Sequence, residues 1–180
     1  MKLWIDTDPG VDDALALLMA LAHPDTEVLG LGIVGGNVGL AACTGNALKL
    51  LDAIGRDNVP VHAGAGDPLL PPLANDAGHV HGRDGFGDIG CRPSTRALAD
   101  GHAAQALIDA SLRHPGELLL VTLGPLTNFA LALSLDPGLA TRLAGWVCMG
   151  GAVTAHGNTE YLTSEFIRRP VQVRPIYLTA

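Results

Sequence analysis

The fold is decided by an acidic stretch near the start of the chain, Asp6-Thr7-Asp8-Pro9-Gly10-Val11-Asp12-Asp13. The residues before it, Lys2-Leu3-Trp4-Ile5, form a short, mostly apolar and β-prone run, which predicts a buried strand. Pro9-Gly10 breaks that strand, and the pattern turns helical from Asp12. The four carboxylates of the stretch are therefore expected on a strand–turn–helix unit, at the carboxyl edge of a β-sheet.

The clustering of these carboxylates indicates a site. Like charges a few ångströms apart repel and raise each other's pKa, and a helix N-terminus offsets only one or two of them. A hard divalent cation such as calcium, which takes several carboxylate and carbonyl oxygens, explains Asp8, Asp12 and Asp13 together. The alternative is an N-capped helix with solvated acidic residues. An EF-hand loop is excluded because Leu17 stands where its final bidentate Glu is required.

Composition narrows the classes of function. The chain has 180 residues, of which 48% are hydrophobic and 16% charged, and this is typical of one globular α/β domain. A net charge of −7 without a Lys/Arg-rich run argues against nucleic-acid binding. Every apolar run is interrupted before it reaches a membrane-spanning length, and acidic residues come too early for a secretory signal. Isolated cysteines predict reduced thiols in a cytoplasm; they are Cys43, Cys91 and Cys148.

Strand and helix patterns alternate along the chain. Strands are predicted over residues 2–5, 28–34, 59–61, 117–122 and 145–149, and helices over residues 12–23, 40–54, 101–113 and 129–135. The alternation predicts an α/β fold with a mainly parallel, Rossmann-like sheet flanked by helices. Pro60 favours an edge position for the third strand. The first helix is predicted to face the core with Leu15, Leu18, Met19 and Ala22.

Polar and glycine-rich motifs follow the predicted strands and so fall at one edge of the sheet. Asn37 follows the second strand, where it could contact a sugar hydroxyl or simply occupy a turn. Gly124-Pro125-Leu126-Thr127-Asn128 follows the fourth strand, and Thr127 or Asn128 could cap the next helix. Met149-Gly150-Gly151-Ala152 follows the fifth strand. Ligands in open α/β sheets bind along such an edge.

A long loop over residues 64–94 is predicted between the third strand and the next helix. It holds His79 and His81 close to Asp76 and Asp84. This is a weak metal pattern, because no Cys or third His completes it. A loop of this length is usually functional or mobile, and a plain surface-loop histidine is the alternative.

The four strand-end motifs together resemble the inosine-uridine preferring nucleoside hydrolase family. The stretch from Asp6 to Ala14 is similar to the family's amino-terminal signature, and the other three motifs agree with the family in order. The resemblance implies a nucleoside-hydrolase-like α/β domain over residues 1–166 and a divergent basic tail over residues 167–180. Because the family's final Asp and its neighbouring His are not matched, we expect a domain incomplete at the C-terminus, through truncation or a frameshift after about residue 166.

The resemblance also implies an activity, namely the calcium-dependent hydrolysis of the N-glycosidic bond of ribonucleosides to ribose and free base in nucleoside salvage. Asp8 is the implied general base. Asp8, Asp13 and the backbone carbonyl of Leu123 are the implied calcium ligands. The residues implied to contact substrate are Asp12, Asn37, His81, Met149, Asn158, Glu165 and Phe166.

Two alternatives to this activity stay open. One is a truncated, non-catalytic remnant of the family. The other is an Asp-based phosphotransferase or phosphatase, although Gly10 stands where that class has Thr or Val. In each case the expected partner is a small molecule, with no nucleic acid and no membrane. An incomplete sheet exposes apolar surface, which favours a homo-oligomer.

Overall fold

The computed structural model describes residues 1–69 and 77–150. They form a five-stranded parallel sheet flanked by helices, so the predicted α/β fold is confirmed. The strands are β1 (Lys2–Thr7), β2 (Glu27–Ile33), β3 (Val61–Ala63), β4 (Leu118–Thr122) and β5 (Leu143–Cys148). The helices are α1 (Val11–Ala22), α2 (Leu40–Ala53), α3 (Gly78–His81), α4 (Ala103–Arg113), α5 (Thr127–Leu135) and α6 (Leu139–Arg142).

β1 lies at the centre of the sheet, whose strand order is β3-β2-β1-β4-β5. It pairs in parallel with β2 on one side and with β4 on the other. The acidic stretch that follows β1 therefore lies in the middle of the carboxyl edge, between the ends of β2 and β4. β3 takes an edge position, as Pro60 predicted, and the Pro60 carbonyl accepts a hydrogen bond from the Leu31 N–H at 2.9 Å.

Alternate residues of β1 enter two hydrophobic cores on opposite faces of the sheet. Leu3 and Ile5 pack with residues of α1 and α2, whereas Trp4 packs with residues of α4 and α5. Successive side chains of a strand point to opposite faces, which explains the division. Full burial of one large apolar side chain stabilises the fold by roughly 1.5–3 kcal/mol. Near-continuous apolar strands are typical of a parallel sheet covered on both sides.

The buried face of α1 differs from the predicted stripe. Leu17 and Leu21 are buried and Leu18 packs against the core as predicted, while Leu15 and Met19 are 61% and 74% exposed. Most residues of α1 are apolar, so their spacing alone could not select the face that packs on the sheet. The rotation of the helix follows Asp13, which Thr7 at the end of β1 holds by a hydrogen bond. Leu17 and Leu21 stand four and eight positions after Asp13 and so face the same side.

Other element ends agree with the sequence pattern within a few residues. α1 ends at Ala22 with His23 as its C-cap residue, within one residue of the prediction, and Gly55 follows α2 with a φ of 64°, the left-handed conformation that glycine favours after a helix. The short helix α3 inside the long loop was not predicted. Within the described residues no helix is long and apolar enough to cross a membrane. The expected domain boundary at residue 166 lies outside the described residues.

Candidate active site

Asp8 stands directly after β1 and is enclosed by the backbone of the neighbouring strand ends. Its Oδ2 accepts a hydrogen bond from the backbone N–H of Asn37 at 2.7 Å. Gly36 and Gly124 approach so closely that a Cβ on either residue would overlap the carboxylate. Asp8 is consequently only 5% exposed. Glycines after β2 and β4 thus allow two strand ends to close around one carboxylate.

Asp13, in the first turn of α1, is the second buried carboxylate. Its Oδ1 accepts a hydrogen bond from Thr7 Oγ1 at 2.6 Å, and its Oδ2 accepts one from the Gly10 N–H at 3.1 Å. A negative charge at this end of a helix is stabilised by the helix dipole. The side chain of Asp12, by contrast, is 66% exposed. Asp8 and Asp13 therefore lie inside the edge, and Asp12 lies at its surface.

Asn37 joins the two buried carboxylates. Its Nδ2 donates to the Asp8 backbone carbonyl at 2.9 Å and to Asp13 Oδ2 at 3.1 Å. Its own backbone N–H is the group that donates to Asp8 Oδ2. The structure thus brings Asp8, Asp13 and Asn37 together, at the edge where the sequence placed them. No described residue donates to Asn37 Oδ1, so this atom can accept a hydrogen bond from a ligand hydroxyl.

His81, at the end of α3, lies over the N-terminus of α1. Its Nδ1 accepts a hydrogen bond from the Val11 N–H at 3.3 Å and lies 3.8 Å from Asp12 Oδ1. Gly10 makes room for this ring, since a Cβ there would lie 2.9 Å from Nδ1. Because Nδ1 acts as an acceptor, a neutral His81 carries its proton on Nε2. The structure therefore places His81 beside the acidic stretch.

The weak metal pattern of the long loop is not assembled in the described residues. His79 is exposed, whereas its neighbour His81 is buried. Asp76 lies outside the described residues. Within residues 1–69 and 77–150, no group of three or more His, Cys, Asp or Glu side chains is arranged to hold a metal ion.

The ends of β4 and β5 bring two more candidate residues to the same edge. The Leu123 N–H donates to the Asp6 carbonyl at 2.8 Å, and the Met149 N–H donates to the Thr122 carbonyl at 2.9 Å. Leu123 directly precedes Gly124, the glycine that packs against Asp8. Met149 is exposed. The remaining predicted substrate contacts lie outside the described residues; they are Asn158, Glu165 and Phe166.

A buried Asp–Asn pair lies behind Asp8, on the side of the sheet covered by α5. Asn128 Nδ2 donates to Asp6 Oδ2 at 3.0 Å and to the Ile33 carbonyl at 3.1 Å. Asn128 Oδ1 accepts a hydrogen bond from the Ala65 N–H at 2.8 Å. Asn128 therefore ties β1, β2 and the segment after β3 to α5.

This role of Asn128 differs from the helix cap that the sequence suggested as one possibility. The N-cap residue of α5 is Leu126, and no side-chain hydrogen bond caps that helix. A local sequence pattern could not have shown the tie, because its partners lie far along the chain. The one related signal is Gly64, where a Cβ would overlap the Asn128 amide.

Burial raises the pKa of both carboxyls that belong to the end of β1. The pKa of Asp8 rises to about 7, mainly through burial and then through the negative charge of Asp13, with partial relief from the Asn37 N–H. The pKa of Asp6 rises to about 8, again mainly through burial, and the hydrogen bond from Asn128 opposes the rise. Asp6 Oδ1 is buried and has no hydrogen-bond partner among the described residues. Neither carboxylate forms a salt bridge within that part of the chain, so protons or a cation must balance their charge.

The sequence matches a known family over most of its length. The model of the family described as inosine-uridine preferring nucleoside hydrolase matches residues 3–166. The chain belongs to this nucleoside hydrolase family. Enzymes of this family are generally metal-dependent.

Relatives of this nucleoside hydrolase chain are named for different nucleosides. Uridine nucleosidase 1 of Arabidopsis thaliana is 43% identical over 157 residues, which cover 87% of this chain and 47% of that protein. The inosine-uridine preferring nucleoside hydrolase of Leishmania major is 40% identical over 152 residues, covering 83% of this chain and 48% of that protein. The chain spans about half the length of these relatives.

A solved structure agrees with the fold. The purine-preferring ribonucleoside hydrolase from Gardnerella vaginalis superposes with a TM-score of 0.84 at 35% identity. The superposition covers 88% of this chain and 51% of that one. The parallel sheet of this chain thus has the fold of a known nucleoside hydrolase.

The donors at the edge of this nucleoside hydrolase sheet are of the type that a hard cation prefers. Asp8 and Asp13 supply buried carboxylate oxygens. Calcium takes about six to eight oxygen ligands in a flexible geometry, and these include carbonyls and water. A cation beside Asp8 would also remove the repulsion from Asp13 that helps to raise the Asp8 pKa. These two carboxylates are oxygen donors of the kind that calcium binds.

Proposed function

We propose that the chain hydrolyses the N-glycosidic bond of ribonucleosides to ribose and a free base, with calcium as its cofactor. The observation that carries the proposal is the pairing of Asp8 and Asp13 through Asn37 at the carboxyl edge of a nucleoside hydrolase sheet. A relative named for uridine is similar in sequence, and one named for purines is similar in structure. The proposal therefore names ribonucleosides as the substrate class and no particular base.

Calcium would be held by Asp8, Asp13 and the backbone carbonyl of Leu123. A backbone carbonyl is independent of the side chain, so leucine is acceptable at the third position. When bound, calcium would offset the repulsion between the two carboxylates and lower the pKa of a water molecule. Its charge would also keep Asp8 ionised at neutral pH, although burial raises the pKa of this carboxyl to about 7.

Asp8 would act as the general base. It would accept a proton from the attacking water while the oxygen of that water bonds to the anomeric carbon and the bond to the base breaks. The departing base acquires a proton in turn, so that water and nucleoside yield ribose and free base. Positive charge develops on the sugar in the oxocarbenium-like transition state. The buried carboxylates would stabilise that charge.

Polar groups around Asp8 would orient the ribose. Asp12 offers an exposed carboxylate, Asn37 offers its Oδ1 atom, and His81 offers an Nε2–H donor when it is neutral. The exposed side chain of Met149 would line the pocket from the end of β5. The other proposed substrate contacts lie outside the described residues; they are Asn158, Glu165 and Phe166.

The two alternatives are less well supported. A phosphotransferase with Asp-x-Asp after its first strand would use Asp6 as the nucleophile. Asp6 is buried behind Asp8 and bonded to Asn128, so a phosphate group could not reach it. A non-catalytic remnant agrees with the fold equally well, and an activity measurement separates it from an enzyme.

The test is ribose release from inosine and uridine by the purified 180-residue chain, first with calcium and then with a chelator. Asp25→Asn is a suitable control variant, because Asp25 is an exposed carboxylate beyond α1. We expect calcium-dependent release that the control variant retains. A folded chain that releases no ribose would support the remnant, and release that survives the chelator would remove calcium from the proposal.

Cellular context and assembly are further parts of the proposal. The described cysteines are free thiols, which supports a cytoplasmic location; they are Cys43, Cys91 and Cys148. Exposed apolar side chains on β5 and α1, including Val147 and Met19, support a homo-oligomer. Residues 1–166 would form the hydrolase domain of a nucleoside salvage enzyme, and residues 167–180 a divergent basic tail. Sedimentation of the purified chain tests the oligomer, for which a monomer at micromolar concentration would be the contrary result.

A further inference from the structure

Asn46, in the middle of α2, is a buried polar residue that the proposed chemistry does not use. It is 0% exposed. Its Nδ2 donates to the backbone carbonyl of Pro9 at 3.2 Å and to that of Asp84 at 2.8 Å. Its Oδ1 accepts a hydrogen bond from Lys49 Nζ at 3.1 Å. One amide thus connects the turn after β1 with a distant segment of the long loop.

That segment is the glycine loop, residues 82–88, which directly follows His81. Its glycines have left-handed φ angles between 71° and 81°; they are Gly82, Gly85 and Gly87. Glycine adopts this conformation without the strain that other residues incur. The loop is also closed internally, since Asp84 Oδ1 accepts hydrogen bonds from the N–H groups of Phe86 and Asp88 at 2.7 and 2.9 Å. The glycine loop therefore behaves as a compact unit.

The glycine loop is coupled to His81 as well as to Asn46. The Gly87 N–H donates to the His81 carbonyl at 2.7 Å. The His81 ring, in turn, accepts the Val11 N–H at the start of α1. The contacts form a closed circuit that runs from the Pro9 turn through Asn46 and the glycine loop to His81, and from His81 back to α1.

We infer that Asn46 is a positioning residue that fixes the glycine loop on the Pro9 turn and thereby holds His81 beside Asp12. The placement of His81 follows from the contacts alone. Its consequence for substrate binding rests on the proposed function. Asn46 acts through His81, because none of its own hydrogen bonds reaches a proposed calcium ligand.

The role requires an amide of this length. Two N–H groups must reach two carbonyls while the oxygen faces Lys49. Leucine has a similar branched shape but no donor, so it would leave the Pro9 and Asp84 carbonyls buried and unpaired. Gly85 offers a second way to break the contact, because a Cβ there would lie 2.7 Å from Asn46 Nδ2. Gly85→Ala would therefore push the loop away from an unchanged α2.

The test is amide hydrogen exchange by NMR on the full chain, with Asn46→Leu and Gly85→Ala as the two disruptive variants. Thr44→Val is the matched control, because Thr44 is buried on the same helix but bonds only within it, to the Ala41 carbonyl. The reporter amides are those that the circuit protects; they belong to Val11, Phe86, Gly87 and Asp88. The reference amide is that of Leu123, which bonds to β1.

Both disruptive variants should accelerate exchange of the reporter amides by about tenfold or more, while the Leu123 amide stays protected. The control should leave all of them unchanged. The imidazole nitrogens of His81 should show a single Nε2–H tautomer in the wild type and an averaged one in both disruptive variants. Unchanged reporters in folded Asn46→Leu and Gly85→Ala would overturn the inference. Equal acceleration at Leu123 would overturn it too, because it would show general destabilisation.

A kinetic arm tests the consequence for substrate. If the wild type releases ribose, Asn46→Leu should raise KM for the nucleoside roughly tenfold with a smaller change in kcat, because His81 is displaced while Asp8 is not. An unchanged KM in a variant whose loop exchanges faster would reject the role in substrate binding. If the wild type releases no ribose, the proposed function fails and the exchange data alone decide the positioning. If Asn46→Leu does not fold, Gly85→Ala decides it.

Discussion

Asp6 and Asp8 are separated by one residue, yet the fold gives them different surroundings. Asp6 lies on the face covered by α5, where the Asn128 amide is its side-chain donor. Asp8 lies at the open carboxyl edge, where Gly36 and Gly124 enclose it and Asn37 donates to it. Burial raises the pKa of both carboxyls, to about 8 and about 7. A raised pKa therefore does not by itself mark the reactive group.

Position at the sheet edge makes the difference. Asp6 links β1 to α5 through its hydrogen bond with Asn128, and within the described residues it is only 1% exposed. Asp8 has a second carboxylate, Asp13, close enough to raise its pKa, and we propose that a cation and the ribose bind beside this pair. The pair thus consists of a structural carboxylate and a carboxylate that we assign to chemistry.

The largest expected difference between the two is in turnover. Asp8→Asn should reduce ribose release by about a thousandfold, since a general base contributes roughly 10²–10⁴-fold. Asp6→Asn should reduce it far less, because Asp6 does not contact the reacting atoms. Steady-state assays with both variants, after circular dichroism has shown that each is folded, measure the difference. Equal losses would mean that Asp8 has no special chemical role.

The next largest effect is on the stability of the fold and concerns the hydrogen bonds of Asn128. Asn128→Ala would remove three hydrogen bonds and leave buried partners unpaired, so we expect a loss of about 3 kcal/mol in the free energy of unfolding. Urea denaturation checks the value. Asn58→Ala, at an exposed position, serves as the control and should be nearly neutral. A similar small effect of both substitutions would contradict the view that Asn128 joins three strand ends.

A pH dependence of stability follows from both carboxyls. The pKa of an aspartic acid side chain is ordinarily 3.8, and in the fold it rises to about 8 for Asp6 and to about 7 for Asp8. Between these values the folded chain binds more protons than the unfolded chain, so stability without calcium should fall as pH rises, by about 1.4 kcal/mol per pH unit for each carboxyl. Urea titrations with chelator at pH 5, 6 and 7 measure the slope. Asp6→Asn should roughly halve the slope, because Asp8 still contributes, and stability that rises over this range would show that the carboxyls are not proton-bound.

The smallest expected effect lies at the opposite end of β1. Lys2 Nζ and Glu117 Oε2 form an ion pair at 2.6 Å on the amino edge of the sheet, where Glu117 is exposed. Exposed pairs contribute little to stability. Lys2→Met should therefore shift the thermal unfolding midpoint by no more than the scatter between replicates. A shift as large as that of Asn128→Ala would show that the two edges are energetically alike.

The sequence predicted the parts of this molecule that follow from local rules. Alternating strands and helices gave the parallel sheet, and the position of polar residues after strands placed Asp8, Asp13 and Asn37 at one edge. Gly36 and Gly124 agree with this placement, because the absence of side chains there lets two strand ends close around Asp8. The resemblance to the nucleoside hydrolase family was confirmed, since the model of that family matches residues 3–166.

Contacts between distant segments were beyond such rules. Asn46 and Asn128 are buried asparagines within helices. Asn46 bonds to Pro9, which is 37 residues away in the sequence, and Asn128 bonds to Asp6, which is 122 residues away. The rotation of α1 also depends on a hydrogen bond between Thr7 and Asp13. The spacing of apolar residues along the helix does not predict such a bond. The short helix α3 depends on tertiary contacts as well, including the Val11 N–H bonded to His81.

Calcium binding measured by titration calorimetry tests the central claim most directly. The variants are Asp6→Asn, Asp8→Asn and Asp13→Asn, each compared with the wild type at neutral pH. We predict that Asp8→Asn and Asp13→Asn weaken calcium binding by about tenfold or more, whereas Asp6→Asn leaves it close to wild type. Equal affinity in all four proteins, or a loss confined to Asp6→Asn, would contradict the assignment of Asp8 and Asp13 to the cation.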